Sequence, residues 1–242
     1  PDITFGIDIR DDKAFIFDKI IEGQGGLPLG AQQRLVGLLN SEINSAVACW
    51  LVMKRGCPII PLYFDNTPYT DENMTKKAID YARTLLDWAI GFPKRMYIIP
   101  NGQNLKEIVE KCPSHLTCLL CKRMMHNIAE KVAEMFRAEG IVTGETIGTT
   151  ENLALHELSV LSQVAKRYPI HRPLLGLNEQ EIEELATKIG IHPSLAEKKV
   201  CKAAWTKPKT KTKLQEIIKA EEKLNVEEMI DRSMQSLKVI SL

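Results

Sequence analysis

Between Leu35 and Met53 the chain runs from an apolar stretch (Leu35-Val-Gly-Leu-Leu39) through a polar turn (Asn40-Ser-Glu-Ile-Asn-Ser45) into apolar, helix-compatible sequence (Ala46 to Met53). The first run is too short for a helix and ends in turn formers, so it reads as a buried strand delivering the chain to a helix N-terminus. Such a turn aims unpaired backbone N–H groups and the positive end of the helix dipole outward, which suits phosphate or pyrophosphate. Phosphate loops use glycine so that backbone can approach the anion closely. This turn has no glycine and carries the anionic Glu42. Local sequence therefore leaves two readings open, an anion loop and an ordinary strand-to-helix turn capped by Asn44 or Ser45.

The alternation continues beyond this junction. Strands are expected at Leu35–Leu39, Ile59–Phe64, Arg95–Ile99, Gly140–Val142 and Ile170–Arg172, and helices at Ser45–Arg55, Asp71–Trp88, Cys121–Glu139, Glu151–Ala165 and Asn178–Ile189. This order predicts an α/β fold with an open, parallel, doubly wound sheet. Ligands in such sheets bind at the carboxyl ends of the strands, so the loops after Leu39, Phe64, Ile99 and Val142 should share one rim.

Three segments follow: a hairpin and linker over 1–30, the α/β domain over 31–191 and a basic helical tail over 192–242. In the first, Ile3, Phe5, Ile7 and Ile9 alternate with other residues, Asp11-Asp12 turns the chain, Ala14 to Phe17 pairs back, and Gly23 to Pro28 links onward. In the last, Leu214, Ile217, Ile218, Leu224, Met229 and Ile230 mark two short helices of an appendage. Lys198, Lys199, Lys202, Lys207, Lys209, Lys211 and Lys213 make its approach the densest positive stretch. That stretch reads either as a solvated tail or as a contact for phosphate backbone.

A net charge of +1 excludes an overall field directed at nucleic acid. No apolar run approaches the roughly 18 residues of a membrane span, and no signal peptide opens the chain, so a cytoplasmic protein is expected. Because the first residue is not Met, the chain reads as a processed or excised piece. Of its six cysteines, Cys118 and Cys121 form a CxxC placed just before a helix expected to start near Lys122, an arrangement that favours thiolates. Two ligands are too few for a metal site, so metal binding, a dithiol and plain packing stay open. Cys49 and Cys57 read as core thiols, Trp50 and Trp88 as core aromatics, and His126 and His156 as surface or packing residues. Trp205, in the basic stretch, is a candidate for stacking on a base.

Several segments agree in order with a known family: Ile9-Arg-Asp-Asp-Lys-Ala-Phe-Ile-Phe17, Gly25-Gly-Leu-Pro28, Leu38 to Asp65 with Met53-Lys-Arg-Gly56 and Pro61-Leu-Tyr-Phe-Asp65, and Cys118-Leu-Leu-Cys-Lys-Arg-Met-Met125. Val142-Thr-Gly-Glu145, Arg172-Pro-Leu-Leu-Gly176 and the tail from Cys201 to Asp231 extend the match. As a set they resemble the tRNA 4-thiouridine synthetases (tRNA sulfurtransferases), PP-loop enzymes related to the ATP pyrophosphatases. The resemblance implies sulfur transfer to tRNA uridine, with tRNA and a sulfur donor as partners, and makes the hairpin the end of an RNA-binding THUMP region. Oligomerisation is left open.

The resemblance also implies a site for ATP and magnesium drawn from Asn40, Ser41, Glu42, Asn44, Ser45, Phe64, Gly144 and Arg172. The family's Ser-Gly-Gly-x-Asp-Ser is here Asn40 to Ser45, with both glycines and the acid replaced. A second segment, Thr149 to Ala154, departs from the family's Gln-rich sequence, so the ATP pyrophosphatase site is expected to be impaired or lost. Archaeal-type relatives imply that Cys118, Cys121 and Cys201 converge on an iron–sulfur cluster. Elsewhere in the family the distant cysteine carries a persulfide, which gives Cys201 that role instead. Two further readings follow, an ATP-independent iron–sulfur protein that moves or removes sulfide and a relative keeping only the scaffold.

Overall fold

The computed structural model describes residues 3–147, 155–192, 201–203 and 213–242. Near its start, β1 (Gly6–Arg10) and β2 (Lys13–Phe17) pair antiparallel as a separate two-stranded sheet, turning at Asp11 with φ 49°. Apolar side chains on both of its faces meet water, among them Ile9 at 74% and Ile16 at 71% exposure.

The main sheet contains β3 (Leu35–Leu39), β4 (Ile59–Asp65), β5 (Arg95–Pro100), β6 (Ile141–Val142), β7 (Ile170–His171) and β8 (Lys238–Ser241), in the order β7-β6-β3-β4-β5-β8. Five strands run parallel, as the alternation predicts. β8 pairs antiparallel with β5 and makes the sheet mixed. Both faces are covered by helices: α1 (Ile43–Met53), α2 (Glu72–Asp87), α3 (Gly102–Lys111), α4 (Thr117–Phe136), α5 (Leu155–Ser162), α6 (Glu179–Lys188), α7 (Leu214–Glu221) and α8 (Val226–Gln235).

Side chains two apart along a strand enter the same core. Ile60, Leu62 and Phe64 face α3, α4, α5, α7 and α8, whereas Ile59 and Tyr63 face α1, α2 and α6. Gly37 lets α1 lie against β3, since a Cβ there would stand 2.5 Å from Cys49 Sγ and 2.8 Å from Ile59 Cγ2. Helix starts follow local chemistry: Asp71 caps α2, Asn225 caps α8, and Asn178 forms a reciprocal capping box with Glu181 on α6.

Several expectations need correction. α3 was not anticipated, because Pro100-Asn-Gly before it signals a loop and only Gly102, Asn104, Leu105 and Ile108 of its residues are buried. α4 begins at Thr117, so Cys118 and Cys121 lie within the helix instead of before it. The appendage is integrated into the fold: Ile217, Ala220 and Met229 enter a core, and β8 extends the sheet. Trp50 is buried as expected, but Trp88 is 40% exposed and donates Nε1–H to Ile189 O at 3.1 Å. Among the described residues, no helix is long and apolar enough to cross a membrane.

A buried ion pair secures α7. Arg123 on α4 donates Nε–H and Nη2–H to the two carboxylate oxygens of Glu221 at 2.6 and 2.7 Å, and Nη1–H to Val160 O at 2.6 Å. Removing the acid leaves a guanidinium at 5% exposure without its counter-charge. Glu221→Gln is expected to lower unfolding free energy by about 3 kcal/mol in denaturant titrations. Isosteric Gln keeps the packing, so a loss near zero would show that the pair contributes nothing beyond its shape.

Candidate functional site

From β3 the chain moves to β4 and β5 on one side, and later returns to place β6 and β7 on the other. The reversal opens a crevice outside the carboxyl ends of β3 and β6, where doubly wound folds hold ligands. Two segments line it, 40–45, which runs into the first turn of α1, and the loop 143–147.

The first loop is closed on itself. Asn40 N–H donates to Ser45 Oγ at 3.0 Å, Ser45 Oγ–H donates to Glu42 O at 2.9 Å, and Glu42 N–H donates to Asn40 Oδ1 at 2.9 Å. Two amides and the Ser45 hydroxyl, groups that an anion would use, are thus spent inside the turn. Glu42 is the N-cap of α1 in extended conformation, and no side chain caps that helix. Its charge reaches Tyr81, whose phenol is pushed up by burial first and then by the Asp80 and Glu42 carboxylates. Gly144 lies against the first turn of α1, where a Cβ would stand 2.6 Å from Ser45 N and 2.7 Å from Asn44 C. Phe64 is a core side chain at 7% exposure. Loop 40–45 thus lacks glycine, spends the Asn40 and Glu42 amides internally and carries an acid at its mouth, while the first-turn amides of α1 have no side-chain cap.

Beside it lies a buried charged cluster. Arg172 donates Nε–H to Glu145 Oε2 at 2.5 Å and Nη1–H to Ser162 Oγ at 3.0 Å, and Thr143 Oγ1–H donates to Glu145 Oε2 at 3.1 Å. Among the described residues, Arg172 Nη2 is buried without an acceptor. Burial alone would raise the Glu145 carboxyl, but Lys122, His126 and Arg172 hold it below the ordinary carboxylate value. Burial pulls His126 down to about 4, against the pull of the Glu145 carboxylate and the Leu161 carbonyl.

Cys118 is exposed, whereas Cys121 faces the core. Burial pushes the Cys121 thiol up to about 12; the Cys201 and Cys118 sulfurs add to the rise, while the Asn101 amide and the Lys122 ammonium oppose it. For Cys121, burial thus outweighs the thiolate expected beside a helix N-terminus. Cys201 packs against the same apolar core as Cys121, and the next residue, Lys202, donates its N–H to Tyr69 O at 2.8 Å. The structure therefore brings Cys201 into the neighbourhood of Cys121. Among the described residues, no three Cys, His, Asp or Glu side chains are gathered as a metal ion requires.

Asn101 Nδ2 donates to Cys121 Sγ at 3.6 Å, a contact the sequence did not single out. Its one signal was position, in the loop after Ile99 on the expected rim. Thr149 to Ala154, Trp205, and Lys198, Lys199, Lys207, Lys209 and Lys211 lie outside the described residues.

Comparison with known proteins agrees with this architecture. The family described as "Thiamine biosynthesis protein (ThiI)" matches residues 30–226. The chain belongs to the ThiI family. Curated relatives include probable tRNA sulfurtransferases of Methanosarcina mazei, 35% identical over the whole chain and 60% of the relative, and of Caldanaerobacter subterraneus, 36% identical over 96% of the chain and 60% of the relative. A 4-thiouridine synthetase solved with RNA and bound ATP superposes over the whole chain and 64% of its own, at 31% identity and a TM-score of 0.91. This ThiI-family chain thus spans about 60% of the length of its curated relatives.

His126 gives the charged cluster a pH signature. Its unfolded imidazole binds a proton from the ordinary value of about 6.5 downward, whereas the folded one resists until about 4. Its contribution is complete above pH 6.5 and is lost as pH falls to about 4, up to about 3 kcal/mol. His126→Leu should flatten that part of the stability profile, measured by denaturant titration at successive pH values. An unchanged slope would assign the acid sensitivity to other groups.

Proposed function

We propose that this chain handles sulfur in the thiolation of tRNA uridine, and that its own phosphate-loop position does not supply ATP pyrophosphatase chemistry. The observation that carries the reading is the packing of Cys201 on the core of Cys121 at a rim whose anion loop is closed on itself. Family membership supports the reaction class, and the solved 4-thiouridine synthetase–RNA complex supports tRNA as the partner.

In this reading Cys201 accepts sulfur. Its thiolate attacks the outer sulfur of a persulfide donor, a new S–S bond forms on Cys201, and the donor leaves as a thiolate. Buried Cys121, beside Cys201, and exposed Cys118 are the candidate thiols for resolving the loaded sulfur. Replacing a uridine carbonyl oxygen requires that oxygen to become a leaving group. Loop 40–45 offers no seat for the phosphates that would convert it, so activation falls to another protein.

Two measurements test this. Titration calorimetry with ATP and magnesium should show no micromolar binding; micromolar binding, or pyrophosphate release with tRNA, would restore the ordinary enzyme reading. If side-chain blockage is the cause, the Ser41→Gly, Glu42→Gly double variant should gain nucleotide affinity. Incubation with a persulfide donor should add sulfur mass to Cys201, and a chain that remains unloaded would remove the sulfur-handling role.

The lysine-rich approach to α7 should add weak RNA binding without sequence preference, since lysines meet phosphates as point charges. Filter binding over a salt series should fall steeply as salt rises. Affinity that is flat with salt, or that survives neutralising Lys198, Lys199, Lys202, Lys207, Lys209, Lys211 and Lys213, would leave this stretch as a solvated surface.

A further inference from the structure

Behind Cys121 runs a chain of buried polar side chains that the sulfur-transfer reading does not use. Arg232 of α8, held by Glu107 Oε1 at 2.8 Å, donates from Nη2 to Asn104 Oδ1 at 2.6 Å. Asn104 Nδ2 donates to Asn101 Oδ1 at 3.0 Å and to Ser233 Oγ at 2.8 Å. Asn101 Nδ2 donates to Asn66 Oδ1 at 2.7 Å and to Cys121 Sγ at 3.6 Å. Asn101, Asn104 and Ser233 are at most 2% exposed, so water cannot replace a lost partner.

The direction of this chain is forced. A guanidinium only donates, so the group that Asn104 turns toward Arg232 must be its oxygen. Its NH2 then faces Asn101 and Ser233, and the Ser233 hydroxyl, already donating to Met229 O at 2.7 Å, can only accept from it. Asn101 must in turn offer its oxygen to Asn104, which leaves its two N–H groups for Asn66 and for the sulfur. Turning either amide over would set donor against donor in a buried site.

We propose that Asn101 is a positioning residue for the Cys121 sulfur, aiming an N–H at it along a polarity dictated by Arg232 through Asn104. The proposal rests on the reading that these cysteines handle sulfur. A hydrogen bond to an anionic sulfur is charge-assisted and about twice as strong as one to a neutral thiol. The arrangement thus favours sulfur at Cys121 as an acceptor, in its thiolate or in a terminal sulfur it carries. It also gives α8 a hold on this sulfur although Arg232 does not touch it.

The test uses the full chain and needs neither tRNA nor a sulfur donor, so its outcome is separate from that of sulfur loading. Asn101→Asp keeps the shape but presents oxygen to the sulfur. The S–H stretching band of Cys121, assigned by its loss in Cys121→Ser, should move to lower frequency as the thiol turns into a donor. Iodoacetamide modification of Cys121, measured against Cys118 in the same molecule, should slow about tenfold. Loosening of the fold would speed that modification, so the sign separates the two effects. Arg232→Met should reproduce part of both changes, and Arg232→Lys, again a pure donor, should restore the original values. An unmoved band and an unchanged modification ratio in Asn101→Asp would overturn the proposal, as would Arg232→Met and Arg232→Lys behaving alike.

Discussion

The Ser45 hydroxyl closes the turn between β3 and α1 by accepting from Asn40 and donating to Glu42 O. With the Asn40 and Glu42 amides and the Ser45 hydroxyl bonded within it, the turn is braced from inside, and the Gly144 backbone presses against it. That contact draws together the carboxyl ends of β3 and β6, so the crevice where doubly wound folds place ligands is narrowed by protein backbone.

On the far side of the crevice, charge is balanced within the protein. Glu145 is held ionised by Lys122 and Arg172, and His126 stays neutral because burial outweighs the nearby carboxylate. Lys122 acts on both Glu145 and Cys121, which makes it the electrostatic link between this cluster and the cysteines. One helix, α4, carries Cys118, Cys121, Lys122, Arg123 and His126, so the ordering of sulfur, ion pair and imidazole follows from a single rigid element.

Much of the fold was legible because it is written locally. Leu35–Leu39 coincides with β3, and capping residues such as Asp71 and Asn178 mark helix starts within a residue of where they were expected. What escaped depends on distant partners. β8 is a strand because β5 offers it an edge, and a four-residue segment has no pattern of its own strong enough to announce that. The Cys121 environment was misjudged for a similar reason: CxxC spacing carries the chemistry of thiols but not which face of α4 meets the core. Asn101, Asn104 and Arg232 are ordinary polar residues in sequence, and their relation exists only after α3 and α8 have packed together.

The same long-range closure governs the order in which the molecule can assemble. Asn104 finds Ser233 across 129 positions and Arg123 finds Glu221 across 98, while β5 waits for Lys238 to Ser241 before its outer edge is paired. Contacts between such distant positions are slow to form and leave hydrophobic edges open meanwhile. On the ribosome, the parallel strands can gather well before α8 has been made. The hydrogen bonding around Cys121 is then among the last features to mature, so a nascent chain can hold a folded sheet while its sulfur still lacks a fixed orientation.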